Sequence, residues 1–200
     1  DYAVNVYTKI LKELYPDTPV IIGGIEASLR RLTHFDYWSE SLKPSILVES
    51  GADLLVYGSG EKSIKEIARL ADRGVPVKSL NNIPQTAYLT DYIPNTKRAK
   101  PKKATIFLHS YEDCLADKKK YAENFKHIEI QSNQINAQIL EQRTGKHYVM
   151  VNPPYPETTE KEIDSFYDLP YTRLPHPRYK NKGDIPAYEM IKYSVNIHRG

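Results

Sequence analysis

Two short apolar runs in the chain each end in glycine and are followed by a helical pattern. Val20–Ile22 leads into Gly23-Gly24, and Asp53–Tyr57 leads into Gly58-Ser-Gly60. Short uninterrupted apolar runs are typical of buried strands, and Glu61–Arg73 places its apolar residues on one helical face. These two strand–glycine–helix units predict a right-handed parallel α/β layer.

The rest of the chain alternates helical and extended patterns around a proline-rich middle. Prolines at 76, 84, 94 and 101 interrupt it, and three more between 169 and 179 require extended backbone there. The periodicity predicts helices over 2–15, 25–31, 115–126, 135–143 and 159–167, and strands over 86–89, 105–108, 147–151 and 192–198.

These patterns divide the chain into four parts. Residues 1–90 are predicted to form a partial α/β module and 91–103 a basic, proline-containing linker. Residues 104–168 follow as a second α+β region, and 169–200 as an extended connection ending in a strand. The predicted fold class is α/β, with a parallel sheet, a second α+β region and an extended proline-rich tail.

The two glycine turns are the first candidate ligand site. Both follow neighbouring strands, and open α/β sheets bind ligands at the carboxyl ends of their strands. The alternative is a pair of tight strand-to-helix turns, in which Glu26 opposes the helix dipole and Glu61 pairs with Lys65. The candidate ligand-binding residues of these turns are Gly23, Gly24, Glu26, Arg30, Gly58, Gly60 and Glu61.

His34 and Asp36 form the second candidate site. They alternate in sequence, so a strand would direct both side chains to one face, which suits a metal or acid–base site. Two ligands are too few for a metal, and no third is near in sequence. The alternative is an interior polar cluster beside the aromatic residues Tyr37 and Trp38.

Charge and cysteine content limit the possible functions. The formal net charge is +3, yet residues 97–126 carry nine basic and four acidic groups, so this segment is a candidate nucleic-acid surface or a solvated one. Cys114 is the only cysteine. A single cysteine excludes an internal disulfide and a Cys₄ metal site, and it favours a reducing, cytoplasmic location. No apolar run reaches the roughly 18 residues of a membrane span.

Four segments resemble the YgiQ-like family of radical S-adenosylmethionine (SAM) proteins. They are VIIGGIEASLRRLTHFDYWS at 20–39, ADLLVYGSGE at 52–61, LPYTRLPHP at 169–177 and IPAYEMIKYSVNIHRG at 185–200. The resemblance implies a partial doubly wound module, Rossmann-like and similar to cobalamin-binding domains, that precedes a radical SAM barrel.

The resemblance also implies which cofactors the full-length protein uses. Three cysteines beyond Gly200 would hold a [4Fe–4S] cluster, and SAM would bind its open iron. This chain itself would hold no cofactor or metal and would be inactive. Cobalamin is not expected, because the Asp-x-His-x-x-Gly motif of many cobalamin binders does not occur here.

The leading hypothesis is an accessory region that shapes or covers the substrate side of the barrel, for a substrate the sequence does not specify. Its partner would be its own C-terminal radical SAM domain. The alternatives are a nucleic-acid or RNA-modification docking module that uses residues 97–126, and a small-ligand-binding α/β module. Without barrel strands beside it, the strand 192–198 would have unpaired edges. It is expected either to pair with a neighbouring molecule, giving a dimer caused by truncation, or to lie against the core of its own chain.

Overall fold

The computed structural model describes residues 2–91 and 104–195, which divide into two compact units, Asp1–Pro156 and Glu157–Gly200. The first unit is built on a six-stranded sheet with helices on both faces. The predicted α/β fold class is therefore confirmed. Strands from residues 1–90 and from 104–168 belong to this one sheet.

The helices and strands of each unit follow in chain order. The first unit contains α1 (Ala3–Leu14), β1 (Ile21–Ile22), α2 (Gly24–Leu29), β2 (His34–Asp36), β3 (Ser41–Lys43), α3 (Ile46–Ser50), β4 (Leu54–Val56), α4 (Glu61–Asp72), β5 (Thr86–Asp91), β6 (Thr105–Leu108), α5 (Tyr111–Ala116), α6 (Lys118–Ser132), β7 (Ile139–Thr144) and β8 (His147–Val151). The second unit contains α7 (Glu160–Tyr167) and α8 (Pro186–Ile191).

The sheet has the strand order β1-β4-β5-β8-β7-β6 and is mixed in direction. β1 and β4, the two strands that precede the glycine turns, pair in parallel as predicted, and so do β6 and β7. The other three pairs are antiparallel. The sheet is not parallel throughout because the segment 73–85 carries the chain from the end of α4 back to the edge where β4 ended. There Gln85 lies beside Tyr57 and Ser59, and β5 starts in the opposite direction.

The core occupies both faces of the sheet. On one face, Ile46 and Leu47 of α3 are fully buried with Leu55 of β4. On the other face, Ile67 of α4 is buried with Leu54, which alternates with Leu55 along β4. Because a strand buried on both faces has no polar side, β4 appears in the sequence as a continuous apolar run.

The helix predicted over 135–143 is wrong, because residues Ile139–Thr144 form strand β7. Four of its six residues are buried, so no polar face shows the period-2 alternation of a strand. Pairing with β6 and β8 overrides the local helical spacing. The helix predicted over 115–126 is two helices, since Asp117 leaves helical geometry and its side chain accepts from the Lys119 amide at 2.9 Å, capping α6.

The tail also differs from its prediction. Residues Pro186–Ile191 form a helix with Pro186 in its first turn, a position that suits proline's fixed φ. Residues 192–195 form no strand, and 196–198 lie outside the described residues. The helix predicted over 159–167 is α7, and it begins with a capping box in which the Thr159 hydroxyl accepts from the Glu162 amide at 3.3 Å.

Gly24 gives the first testable prediction. Its φ is +77°, and a Cβ there would meet no atom within 4 Å, so the cost of a side chain is backbone strain. We expect Gly24→Ala to lower the free energy of unfolding by about 1–2 kcal/mol. Gly24→Asn should cost less, because asparagine tolerates this backbone region. Urea unfolding of the three proteins measures both effects, and equal stability of all three would contradict the assignment.

Candidate functional site at the carboxyl edge of the sheet

Three strands end and three begin at one edge of the sheet. β1 and β4 are parallel, and two antiparallel steps through β5 give β8 the same direction. The carboxyl ends of β1, β4 and β8 therefore share this edge with the starts of β5, β6 and β7. We call it the carboxyl edge, and both glycine turns lie on it.

The glycine turns bring backbone segments close together. A Cβ on Gly23 would lie 3.1 Å from the carbonyl oxygen of Val56, and one on Gly60 would lie 2.9 Å from the Val56 side chain. The Gly58 amide donates to the Ser28 hydroxyl oxygen at 3.2 Å. Glu61 is exposed at the start of α4. Close approach of the backbone therefore explains the glycines at 23 and 60.

Two buried amide side chains satisfy the backbone groups that the strands leave free at this edge. The Gln85 side chain donates to the carbonyls of Tyr57 at 3.3 Å and Ser59 at 3.0 Å, and accepts from the Tyr155 amide. The Asn152 side chain donates to the Asn81 and Ile83 carbonyls, each at 3.0 Å. Unpaired buried backbone groups would be costly, so these amides hold the edge in place.

A cavity of about 320 Å³ opens at the carboxyl edge, between the end of α2, the end of α6 and the end of β8. Its charged residue is Arg31, whose guanidinium carbon lies 4.8 Å from the centre of the Tyr57 ring. The Tyr57 hydroxyl donates to the Asn152 carbonyl, and burial raises the pKa of Tyr57 to about 12. Tyr57 is therefore a neutral, fixed wall on which the cation stacks.

Among the residues that the structure describes, Arg31 is held by hydrogen bonds and not by a carboxylate. Nη1 donates to the Ser28 carbonyl at 2.6 Å, and Nη2 contacts the Ser132 hydroxyl at 3.5 Å. Burial lowers the pKa of the Arg31 guanidinium, because a buried cation loses its hydration. A negative charge placed in the cavity would offset that loss.

Arg30, the preceding residue, belongs to a different cluster. Its guanidinium lies 4.0 Å from the centre of the Tyr2 ring, 3.3 Å from Glu26 and 3.8 Å from Asp36. Asp36 is buried and accepts from the Ser39 amide and hydroxyl at 2.8 and 2.6 Å. Hydrogen bonds from Ser39 and Tyr2, with the Arg30 charge, lower the Asp36 pKa to about 2. The groups of this cluster are thus largely matched to one another.

His34 does not form a metal site with its neighbours. Its Nδ1 lies 3.2 Å from the Leu32 carbonyl, and burial lowers its pKa. Within residues 2–91 and 104–195, no group of three or more His, Cys, Asp or Glu side chains has the arrangement to hold a metal ion.

Cys114 is buried and engaged. Its sulfur accepts from the Asn124 amide at 3.1 Å and lies 3.9 Å from the His109 carbonyl. Burial raises the pKa of its thiol, which keeps it in the protonated form that neither attacks nor binds metals. A lone buried thiol does not suit a [4Fe–4S] cluster, so we derive no step through such a cluster in this chain.

The structure separates the candidate residues into three places. Gly58 lines the cavity, Glu26, Arg30 and Asp36 form the internal cluster, and Glu61 is exposed. Sequence reasoning did not single out Arg31, Ser28, Tyr57 or Asn152, which line the cavity. The available signal was the strand end at 151, but its position, separated from β4 by β5 alone, depends on pairing that no local pattern shows. The nine candidates remain predictions as ligand-binding residues.

Comparison with known proteins gives a consistent family. A family model described as "Radical SAM N-terminal" matches residues 1–194. A UPF0313 protein of Porphyromonas gingivalis is 56% identical over the whole chain, one of Bacteroides thetaiotaomicron is 53% identical, and one of Geobacter sulfurreducens is 43% identical over 99% of the chain. The matches cover 31%, 33% and 32% of those proteins, so the chain spans about a third of the length of the curated relatives it matches.

No solved structure matches the chain. In the part of the chain that the structure describes, no helix combines the length and the apolar composition needed to cross a bilayer.

The Asp36 cluster predicts a specific pH dependence. Because the folded pKa is depressed below the ordinary 3.8, the ionised carboxylate stabilises the fold above about pH 4, and this contribution disappears as the pH falls toward about 2. We expect the stability advantage of the native protein over Asp36→Asn to shrink across that range in urea unfolding. Ser39→Ala removes the hydroxyl that donates to the Asp36 carboxylate, so the free energy of unfolding of that variant should depend less on pH over the same range. A pH-independent difference would contradict this assignment.

Proposed function

Because the chain belongs to the Radical SAM N-terminal family, we propose that it is the accessory region of an iron–sulfur enzyme and covers the substrate side of its catalytic barrel. In the full-length protein, a [4Fe–4S] cluster held by three cysteines beyond Gly200 supplies reductive cleavage of SAM. This chain supplies packing and access control and is inactive alone. A reducing, cytoplasmic location suits both the cluster and a single free thiol.

The observation that carries the proposal is an exposed apolar surface next to the carboxyl edge. Ile25 and Leu29, one turn apart on α2, are 80% and 71% exposed, and Ile135, between α6 and β7, is 71% exposed. Large aliphatic side chains are usually buried, and exposed groups of them mark interaction surfaces. The matched family is described as N-terminal, and the relatives are about three times as long as this chain, which supports a further domain in the same protein. We assign this surface to the radical SAM domain of the same protein.

Covering a barrel opening has a chemical purpose in radical enzymes. SAM and the cluster would supply radical chemistry, which is unselective, so the residues around the site would have to hold the substrate and exclude solvent. Active sites of barrels lie at the carboxyl ends of their strands. A domain docked there through Ile25 and Leu29 would close the site with apolar side chains.

The comparisons give no support to the two alternatives as the main function. For nucleic-acid docking, residues 97–103 of the basic segment lie outside the described residues. Lys118 and Lys119 are exposed on α6, as expected for a solvated helix, and Lys120 pairs with Asp113 at 2.8 Å. The basic residues that are described therefore need no phosphate partner.

Reconstitution tests the enzymatic half of the proposal. After anaerobic incubation with iron and sulfide, the full-length protein should show the absorbance of an iron–sulfur cluster and, with a strong reductant, release 5′-deoxyadenosine from SAM. Residues 1–200, with the buried Cys114 alone, should do neither. A cluster in residues 1–200, or no 5′-deoxyadenosine from the reconstituted full-length protein, would overturn this half.

Cysteine labelling tests the structural half. In the full-length protein, Leu29→Cys should react with a maleimide at least ten times more slowly than Lys65→Cys, because the radical SAM domain covers position 29. Lys65 is an exposed residue of α4, on the opposite face of the sheet. Peptide mass spectrometry after a short pulse measures both rates. Equal labelling would show that the α2 surface is not the docking face.

A further inference from the structure

The carboxyl-edge cavity supports a second, independent inference, because the charges of its lining residues are not balanced. Its lining contains one cation, Arg31, and no aspartate or glutamate. Within the described residues, Arg31 forms no ion pair, whereas Arg30 has two carboxylates within 4 Å. A half-buried guanidinium without a counter-ion is stabilised when an anion binds to it.

The hydrogen bonds of Arg31 leave donor capacity unused. Its Nε is buried without any hydrogen-bond partner among the described residues, and its Nη2 contact to Ser132 is long, at 3.5 Å. Buried donors that lack a partner are rare in folded proteins. The stacking of the guanidinium on Tyr57 fixes its plane without using its N–H groups.

The rest of the lining shows which polar groups are free to bind a ligand. The side-chain amides of Gln85 and Asn152 are committed to backbone carbonyls. The Ser28 hydroxyl oxygen accepts from the Gly58 amide, so its own proton remains available for donation. Arg31 and Ser28 therefore both offer hydrogen-bond donors to an anionic head, and the Ser132 hydroxyl lies beside Arg31.

Part of the cavity lining is apolar. Leu140, Val151, Pro153 and Pro154 belong to this part. A volume of about 320 Å³ is at the lower end of the range for small-molecule sites, which combine apolar walls with a few polar groups. The cavity thus matches a compact molecule with one charged end and one apolar end.

We propose that this cavity binds a small organic anion, with its carboxylate or phosphate against Arg31 and Ser28 and its apolar body against Val151 and Pro153. The site is built entirely from residues of this chain. It does not depend on the radical SAM assignment, so release of 5′-deoxyadenosine and anion binding report on separate hypotheses. The two glycine turns lie at the same edge, and of their glycines Gly58 lines the cavity. The turns therefore border the site, but most of its lining comes from other residues.

Titration calorimetry on the full-length protein tests the site with simple probes. Phenyl phosphate and benzoate represent the two anionic heads, inorganic phosphate lacks the apolar body, and benzyl alcohol lacks the charge. We expect phenyl phosphate or benzoate to bind more tightly than inorganic phosphate, and benzyl alcohol not to bind. The better of the two aromatic anions identifies the preferred head group.

Variants then assign the binding to this cavity. Arg31→Gln should weaken the better anion at least tenfold, and Ser28→Ala several-fold. Arg73→Gln, which removes an equal charge from the exposed end of α4, should change nothing. Arg31→Lys should retain part of the affinity, because lysine keeps the charge but not the planar donors.

Ala137→Phe keeps the proposal testable if Arg31→Gln does not fold. Ala137 lines the cavity, so a phenyl group there should block binding while Arg31 stays in place. Equal affinity of the native protein and Arg31→Gln, binding of benzyl alcohol as tight as that of benzoate, or no binding of either aromatic anion at millimolar concentration would each overturn the proposal.

Discussion

The carboxyl edge depends on one constraint: the backbone groups freed where its strands end must still find hydrogen bonds away from water. The side chains of Gln85, which immediately precedes β5, and Asn152, which immediately follows β8, meet this requirement. Gln85 joins the loop after β4 to the segment after β8, and Asn152 joins the end of β8 to the segment before β5. The loops around the cavity are therefore fixed by buried amides, and the position of Tyr57, on which Arg31 stacks, follows from them.

Some of this architecture is visible in the sequence because it is locally encoded. β1 and β4 are apolar on both faces and end in glycine, so they appear as short runs with a clear stop, and β6 and β8 have the predicted bounds. β7 is not visible, because buried polar residues such as Gln142 interrupt its apolar pattern. Gln142 is tolerated there because it accepts from the Thr33 amide and donates to the His109 carbonyl, partners distant in sequence.

The candidate site shows the same limit. Arg30 and Arg31 are indistinguishable in the sequence, yet one joins a matched cluster with Glu26 and Asp36, and the other lines a cavity without a carboxylate. Their separation depends on where α2 ends, because consecutive residues at a helix end leave in different directions. The direction of β8, which brings Asn152 beside Tyr57, is likewise set by tertiary pairing rather than by residues 147–151 themselves.

The burial of Cys114 has a consequence for how a larger iron–sulfur protein is assembled. Iron and sulfide delivered to a partly folded chain are captured by any accessible thiolate, and a cysteine outside the intended ligand set is a source of misplaced metal and of mixed disulfides. Cys114 is sealed between Asn124 and the His109 carbonyl, and its proton is retained. Once this region has folded, the chain adds no competing thiol to the maturation of the cluster that we propose for the rest of the protein.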